Sequence, residues 1–166
     1  MMKDAIDDIL DQWSAERPEL DTAPLGVVIR VMALYRRFSR QATRALEPLS
    51  LELWEYDVLA ALRRQGRPYA LSAMALARET DLSSGAMTNR IDRLEERGFV
   101  RREADENDRR SVIVVLSREG RKAIDKAIRY RLEAARESLE DLSAAERREL
   151  SSLLRKIVLS EDHLDD

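Results

Sequence analysis

The residues with the most recognisable chemistry lie between positions 83 and 120. The stretch DENDRRSVIVVLSREG, Asp105 to Gly120, sets two adjacent guanidinium groups, Arg109 and Arg110, in a short polar loop ahead of the apolar run SVIVVL. Such a loop reads as the tip of a β-hairpin. Guanidinium groups at a hairpin tip suit the narrow, electronegative minor groove of duplex DNA. Asp105 and Asp108 beside them are out of place in a simple phosphate clamp. A turn aspartate can instead accept from the loop backbone and brace one arginine while the other projects. The competing reading is a solvated turn whose surface ion pairs contribute little.

Just upstream, SSGAMTNRIDRLEERG offers a second chemistry. On a helix from Ser83 to Arg97, at about 100° per residue, Met87, Ile91 and Leu94 stack on the core side. Gly85, Thr88, Asn89 and Asp92 then point the other way. Small residues at the helix start let its backbone approach another surface, and a hydroxyl and an amide can hydrogen-bond base edges in a major groove. Ser83 is a good cap, and the free N–H groups there suit a phosphate. Arg93 and Arg97 flank the stripe, where they could pair with a sugar-phosphate chain. Taken alone, this face is also what a wet helix surface looks like; its place after a short helix and before a hairpin favours DNA.

The elements that must position these groups follow from periodicity and breakers. Residues 4–17 carry Ile6, Ile9, Leu10 and Trp13 on one helical face, and Pro18 and Pro24 bracket the turn after it. A long amphipathic helix from Leu25 to Leu46 follows, with Leu25, Val28, Ile29, Met32, Tyr35 and Ala42 at intervals of three and four. SLELWEYDVLAALRRQG predicts a third helix, capped by Ser50 or a neighbour and stopped at Gly66. SAMALARET, Ser72 to Thr80, is a short fourth helix, separated from the Ser83 helix by a tight break at Asp81-Leu82. FVRRE and SVIVVL form the hairpin after Gly98. Ser117 begins a long helix to about Asp141, and Ser143 another to about Leu159. The order helix, short helix, tight turn, capped helix, hairpin is the outline of a winged helix-turn-helix. The expected fold is therefore mainly α with a small β-hairpin wing. N-terminal helices would occupy 1–48, the winged domain 49–117 and C-terminal dimerisation helices 118–166.

Bulk properties narrow the function. The 166 residues carry a net charge of −3 with 37% charged residues, so any nucleic-acid surface must be a local patch on helices with solvated outer faces. The absence of cysteine removes thiolate nucleophiles, disulfides and thiol redox sensing. The single histidine, His163, sits in the acidic tail EDHLDD, far from any metal-ligand set. No glycine-rich phosphate loop or isolated carboxylate pair is present, so neither an enzyme nor a cofactor is expected. No basic leader and no apolar run near the roughly 20 residues needed to span a bilayer is visible, which makes a cytoplasmic location the expectation, with no membrane partner.

The run LSSGAMTNRIDRLEERGFVRR followed by DENDRRSVIVVLSREG resembles the MarR family of bacterial transcription regulators. The matching wing pattern is Asp105, Asp108-Arg109-Arg110, Leu116-Ser117 and Gly120, with Ser117 where threonine is commoner. The resemblance covers roughly residues 25 to 160. It implies a homodimer with interlocking N- and C-terminal helices, bound to a palindromic operator. It also implies Ser84, Gly85, Thr88 and Asn89 in the major groove and Arg109 in the minor groove. With Ser83, Arg93 and Arg110, these make up the candidate DNA-binding set. Independently, apolar residues such as Leu150, Leu153, Leu154, Ile157 and Val158 call for a partner surface.

The added N-terminal segment DQWSAERPELDTAPLGVVIRV resembles a MarR subgroup that responds to urate or related purines. The resemblance implies a pocket made by Trp13, Asp57, Arg90 and Arg102. The helical wheel agrees for Arg90, which lies beside the Met87/Ile91 edge and can reach inward. An aromatic face, two cations and a carboxylate would suit a flat anion with ring N–H donors. Other readings stand beside this one: Trp13 as core, Asp57 paired with Arg63 or Arg64, and Arg102 on phosphate. The expected function is a repressor released by a small anionic or aromatic effector such as urate. The alternatives are a regulator of the same fold that answers a phenolic or drug-like molecule, or a constitutive DNA-binding protein without a ligand.

Overall fold

The computed structural model describes residues 3–105 and 111–161. Asp108, Arg109, Arg110 and His163 lie outside the described residues. The chain forms two compact units, Met1–Leu53 and Trp54–Asp166.

In the first unit, helix α1 (Ala5–Glu16) begins with a reciprocal cap. The Asp4 carboxylate accepts from the N–H groups of Ile6 and Asp7, both at 2.9 Å, and the Asp7 carboxylate accepts from Asp4 N–H at 2.9 Å. This satisfies donors that the first helical turn leaves open. Helix α2 (Ala23–Leu46) starts at Pro24, whose missing N–H costs nothing there. Arg30 of α2 reaches Asp4 at 2.9 Å and Asp7 at 2.7 Å, which ties the start of α1 to α2. A 3-10 turn, Glu47–Leu49, follows. Ser50 does not cap the next helix. It stands in the left-handed region at φ 50° and closes the 3-10 turn through its N–H to the Glu47 carbonyl, so α3 starts only at Leu53.

The second unit carries α3 (Leu53–Arg64), a strand β1 (Ala70–Ser72), α4 (Ala73–Glu79), α5 (Ser84–Glu96), β2 (Val100–Ala104), β3 (Val112–Leu116), α6 (Arg118–Glu137) and α7 (Ala144–Glu161). Three helices begin on serine hydroxyls: Ser72 Oγ accepts from Ala75 N–H, Ser83 Oγ from Ala86 N–H and Ser117 Oγ from Gly120 N–H. The α4–α5 turn is a paired-bond helix end. Leu82 N–H donates to the Ala77 carbonyl and Asp81 N–H to that of Arg78, with Asp81 at φ 52°. Aspartate tolerates that conformation better than most residues. Helix α5 ends the same way at Gly98, φ 71°.

The expected hairpin is part of a three-stranded antiparallel sheet in the order β1-β3-β2. The additional strand, β1, pairs Leu71 with Val114, and Arg102 of β2 faces Val114 from the other side. Val58, Leu59, Leu62, Leu76, Met87, Ile91, Leu94, Val114 and Ile124 are buried, each burial contributing roughly 1.5–3 kcal/mol. Helix α6 stops at Glu137, short of the expected Asp141.

Candidate nucleic-acid interface

Helix α5 sorts its side chains as periodicity requires. Met87, Ile91 and Leu94 are buried, and Ser83, Ser84, Gly85, Thr88, Asn89 and Arg93 are exposed. The exposed set forms one polar ridge at the N-terminal half of the helix, with the small residues first. Thr88 Oγ1 donates to the Ser84 carbonyl at 3.0 Å, so the hydroxyl proton is engaged within the helix while its oxygen still faces outward. The Asn89 amide has no hydrogen-bond partner among the described residues and keeps both donor and acceptor for a base edge. Arg93 lies with its guanidinium 4.8 Å from the Trp54 ring centroid, stacked yet exposed. The β2–β3 loop is paired up to its described ends, where Asp105 N–H meets the Ser111 carbonyl at 3.4 Å.

Two arginines expected to be available are held inside the fold. Arg97, at the end of α5, does not face outward toward a sugar-phosphate chain. Its Nη1 donates to both carboxylate oxygens of Glu55, and its guanidinium covers the Phe99 ring at 4.7 Å. Arg102 of β2 forks between the Asp92 carboxylate and Glu95 Oε2, and its own N–H donates to Glu95 Oε1 at 2.9 Å. Asp92, expected on the outer stripe, is therefore the base of a brace between α5 and the wing. The charge complementarity explains the geometry: two carboxylates one helical turn apart match a planar fork. Sequence periodicity shows the carboxylates but not which cation reaches them.

A polar cluster lies where α3 meets α5 and α6. Arg90 is half-buried, with its guanidinium 5.4 Å from the Trp54 ring centroid, so it reaches inward from α5. Burial raises the pKa of Asp57, opposed by the charges of Arg131, Arg90 and Arg64, although one edge of the side chain keeps solvent access. Arg131 of α6 stacks over Tyr56 at 5.4 Å. Asp57 does not pair with Arg63 or Arg64. Arg63 Nε donates to Asp125 at 2.7 Å and Arg64 to Glu79 at 2.8 Å. The structure thus brings Asp57 and Arg90 together and commits Arg102 to other carboxylates. Trp13, in the first unit, is 47% exposed and is no core residue of its own helix. Arg131 carried no sequence signal, because a charged residue on a charged helix face looks the same whichever way it turns.

Apolar side chains remain uncovered within the chain. Val28, Val31, Met32 and Tyr35 of α2 are exposed, and so are Leu153, Leu154, Ile157 and Val158 of α7. Among the described residues, no group of His, Cys, Asp and Glu could hold a metal ion, and no helix is long and apolar enough to cross a membrane.

Comparison with known proteins gives a consistent set of likenesses. A family model described as the MarR family matches residues 49–111. The HTH-type transcriptional regulator PecS of Dickeya dadantii (strain 3937) is 35% identical over 159 residues, which is 96% of this chain and 94% of that protein. The crystal structure of AbsC, a MarR family transcriptional regulator from Streptomyces coelicolor, superposes with a TM-score of 0.78 at 24% identity, over 87% of this chain and 97% of that one. Bordetella bronchiseptica BpsR, whose DNA binding is regulated by 6-hydroxynicotinic acid, superposes with a TM-score of 0.70 at 26% identity, over 80% of this chain and 98% of that one.

Proposed function

The chain belongs to the MarR family of winged helix-turn-helix transcription regulators, and from that premise we propose that it represses by binding a palindromic operator as a homodimer and lets go when a small flat anion binds. The observation that carries the DNA reading is the exposed ridge of α5, opposite its buried Met87/Ile91/Leu94 face. In this reading Ser84, Gly85, Thr88 and Asn89 enter the major groove. Ser83 and Arg93 contact the backbone, and Arg109 and Arg110 of the wing take the minor groove. Arg102 acts as the brace that sets the wing against α5, not as an effector contact. Exposed apolar residues on α2 and α7 support the homodimer, since a face of that kind left in water is costly.

The effector reading rests on Asp57 and Arg90, with Trp13 as a further candidate wall. Arg90 stands on the DNA-reading helix yet leans on Trp54 of α3. An anion that draws Arg90 toward it changes the seat of α5, and it couples to DNA only by binding the two arrangements unequally. That BpsR answers 6-hydroxynicotinic acid favours a flat aromatic anion as the class, urate and xanthine included.

The test begins with sequencing the genomic fragments that the purified protein retains. Gel shifts on the retained sequence should then show steep weakening with salt and a preference over scrambled DNA. Adding urate, xanthine or 6-hydroxynicotinate should release the probe. Equal affinity for scrambled DNA would remove the operator reading. Unchanged affinity at millimolar effector, with wild type and Arg90→Ala alike, would remove the effector reading.

A further inference from the structure

The cluster between α3 and α6 holds a donor and an acceptor that the fold leaves idle. Arg131 Nε is shut off from solvent and has no hydrogen-bond partner. A buried N–H in that state costs free energy, and folded proteins rarely tolerate it without an acceptor to come. Stacking over Tyr56 holds the guanidinium plane, so its N–H groups act along the edge of that plane. Asp57, adjacent to Tyr56, accepts no hydrogen bond from the described residues although it lies in the field of Arg131 and Arg90. Burial has also removed part of its hydration, since its pKa is raised.

An unused N–H donor and an unused carboxylate in one cluster are the complement of a cyclic amide, whose carbonyl oxygen accepts and whose neighbouring ring N–H donates. We infer that Arg131 and Asp57 together read the lactam edge of a flat anionic ring. Arg131 Nε donates to the carbonyl oxygen and Asp57 accepts from the ring N–H. Arg90 supplies the positive charge that balances the anionic group of the ring. This inference rests on the small-anion reading above and narrows it to rings with adjacent C=O and N–H groups. It adds Arg131, which neither the sequence nor the family resemblance offered.

Calorimetric titration of the full chain tests it without needing the operator. The probes are 6-hydroxynicotinate, whose pyridone form carries the lactam edge, and nicotinate, which keeps the carboxylate and lacks that edge. Wild type should bind 6-hydroxynicotinate at least about tenfold more tightly, the worth of one charge-assisted hydrogen bond. Arg131→Lys keeps the charge but removes the Nε donor, and should erase that preference, as should Asp57→Asn. Thermal melting reports whether each variant is folded. Equal binding of the two probes by wild type overturns the inference without any variant, as does an unchanged preference in folded Arg131→Lys. If wild type binds neither probe, nor urate, at millimolar concentration, the small-anion reading itself falls.

Discussion

Arg97 Nη1 donates to both carboxylate oxygens of Glu55, at 2.7 and 2.5 Å, and Glu55 is 1% exposed. The last residue of the DNA-reading helix is thereby fastened to the first turns of α3. A carboxylate taken out of water is costly unless its charge is met, so the pair fixes where α5 ends. Arg97→Ala should therefore lower stability by about 2–3 kcal/mol, the lower end for a broken buried pair because Arg97 itself reaches solvent. Urea unfolding measures this, and a loss below about 0.5 kcal/mol would mean the pair is energetically idle.

Gly120 is set by contact. A Cβ there would fall 2.1 Å from the Phe99 carbonyl oxygen and 2.9 Å from Leu116 Cδ1. Ser117 completes the junction, its Oγ donating to the Gly98 carbonyl at 2.7 Å. Gly120→Ala, normally mild in a helix, should cost about 1–3 kcal/mol because backbone has to move. A melting temperature equal to that of wild type would contradict this packing.

The start of α1 should be acid-sensitive. Arg30, then the N–H of Asp7, pull the Asp4 carboxyl down to about 2 from an ordinary 3.8. A lowered acid stabilises the fold above its unfolded value and loses that contribution as pH falls toward 2. Hydrogen exchange in α1 should speed up over that window, and Arg30→Ala should show fast exchange already at neutral pH. Identical exchange in the two proteins would show that α1 is held by other contacts.

Asp57 has the opposite sign. Burial raises its pKa, so its contribution to stability is fully present below about 3.8 and is lost as pH rises through the folded value. Asp57→Asn should accordingly melt no lower than wild type near pH 7 while losing effector binding. A variant that melts clearly lower would make Asp57 a structural group instead.

On DNA, Asn89→Ala should alter base preference, whereas Arg109→Ala should weaken specific binding by about 1–3 kcal/mol. Competition gel shifts against single-base operator variants separate the two effects. An Arg109 variant with wild-type affinity would count against the wing assignment.

The elements that local chemistry specifies were legible in the chain. Ser72, Ser83 and Ser117 cap helices because a hydroxyl satisfies N–H groups only three residues away. Met87, Ile91 and Leu94 face inward because their spacing follows the helical period. Strand β1 was not legible, since three residues with no alternation become a strand only by pairing with β3. Nor were the commitments of Arg97 to Glu55, of Arg102 to Asp92 and Glu95, or the idle Nε of Arg131. A long cationic side chain can turn outward to a phosphate or inward to a carboxylate from the same position in the chain. Only the folded arrangement of distant carboxylates decides which, because that choice is made by Coulomb attraction and desolvation across space and leaves no period in the sequence.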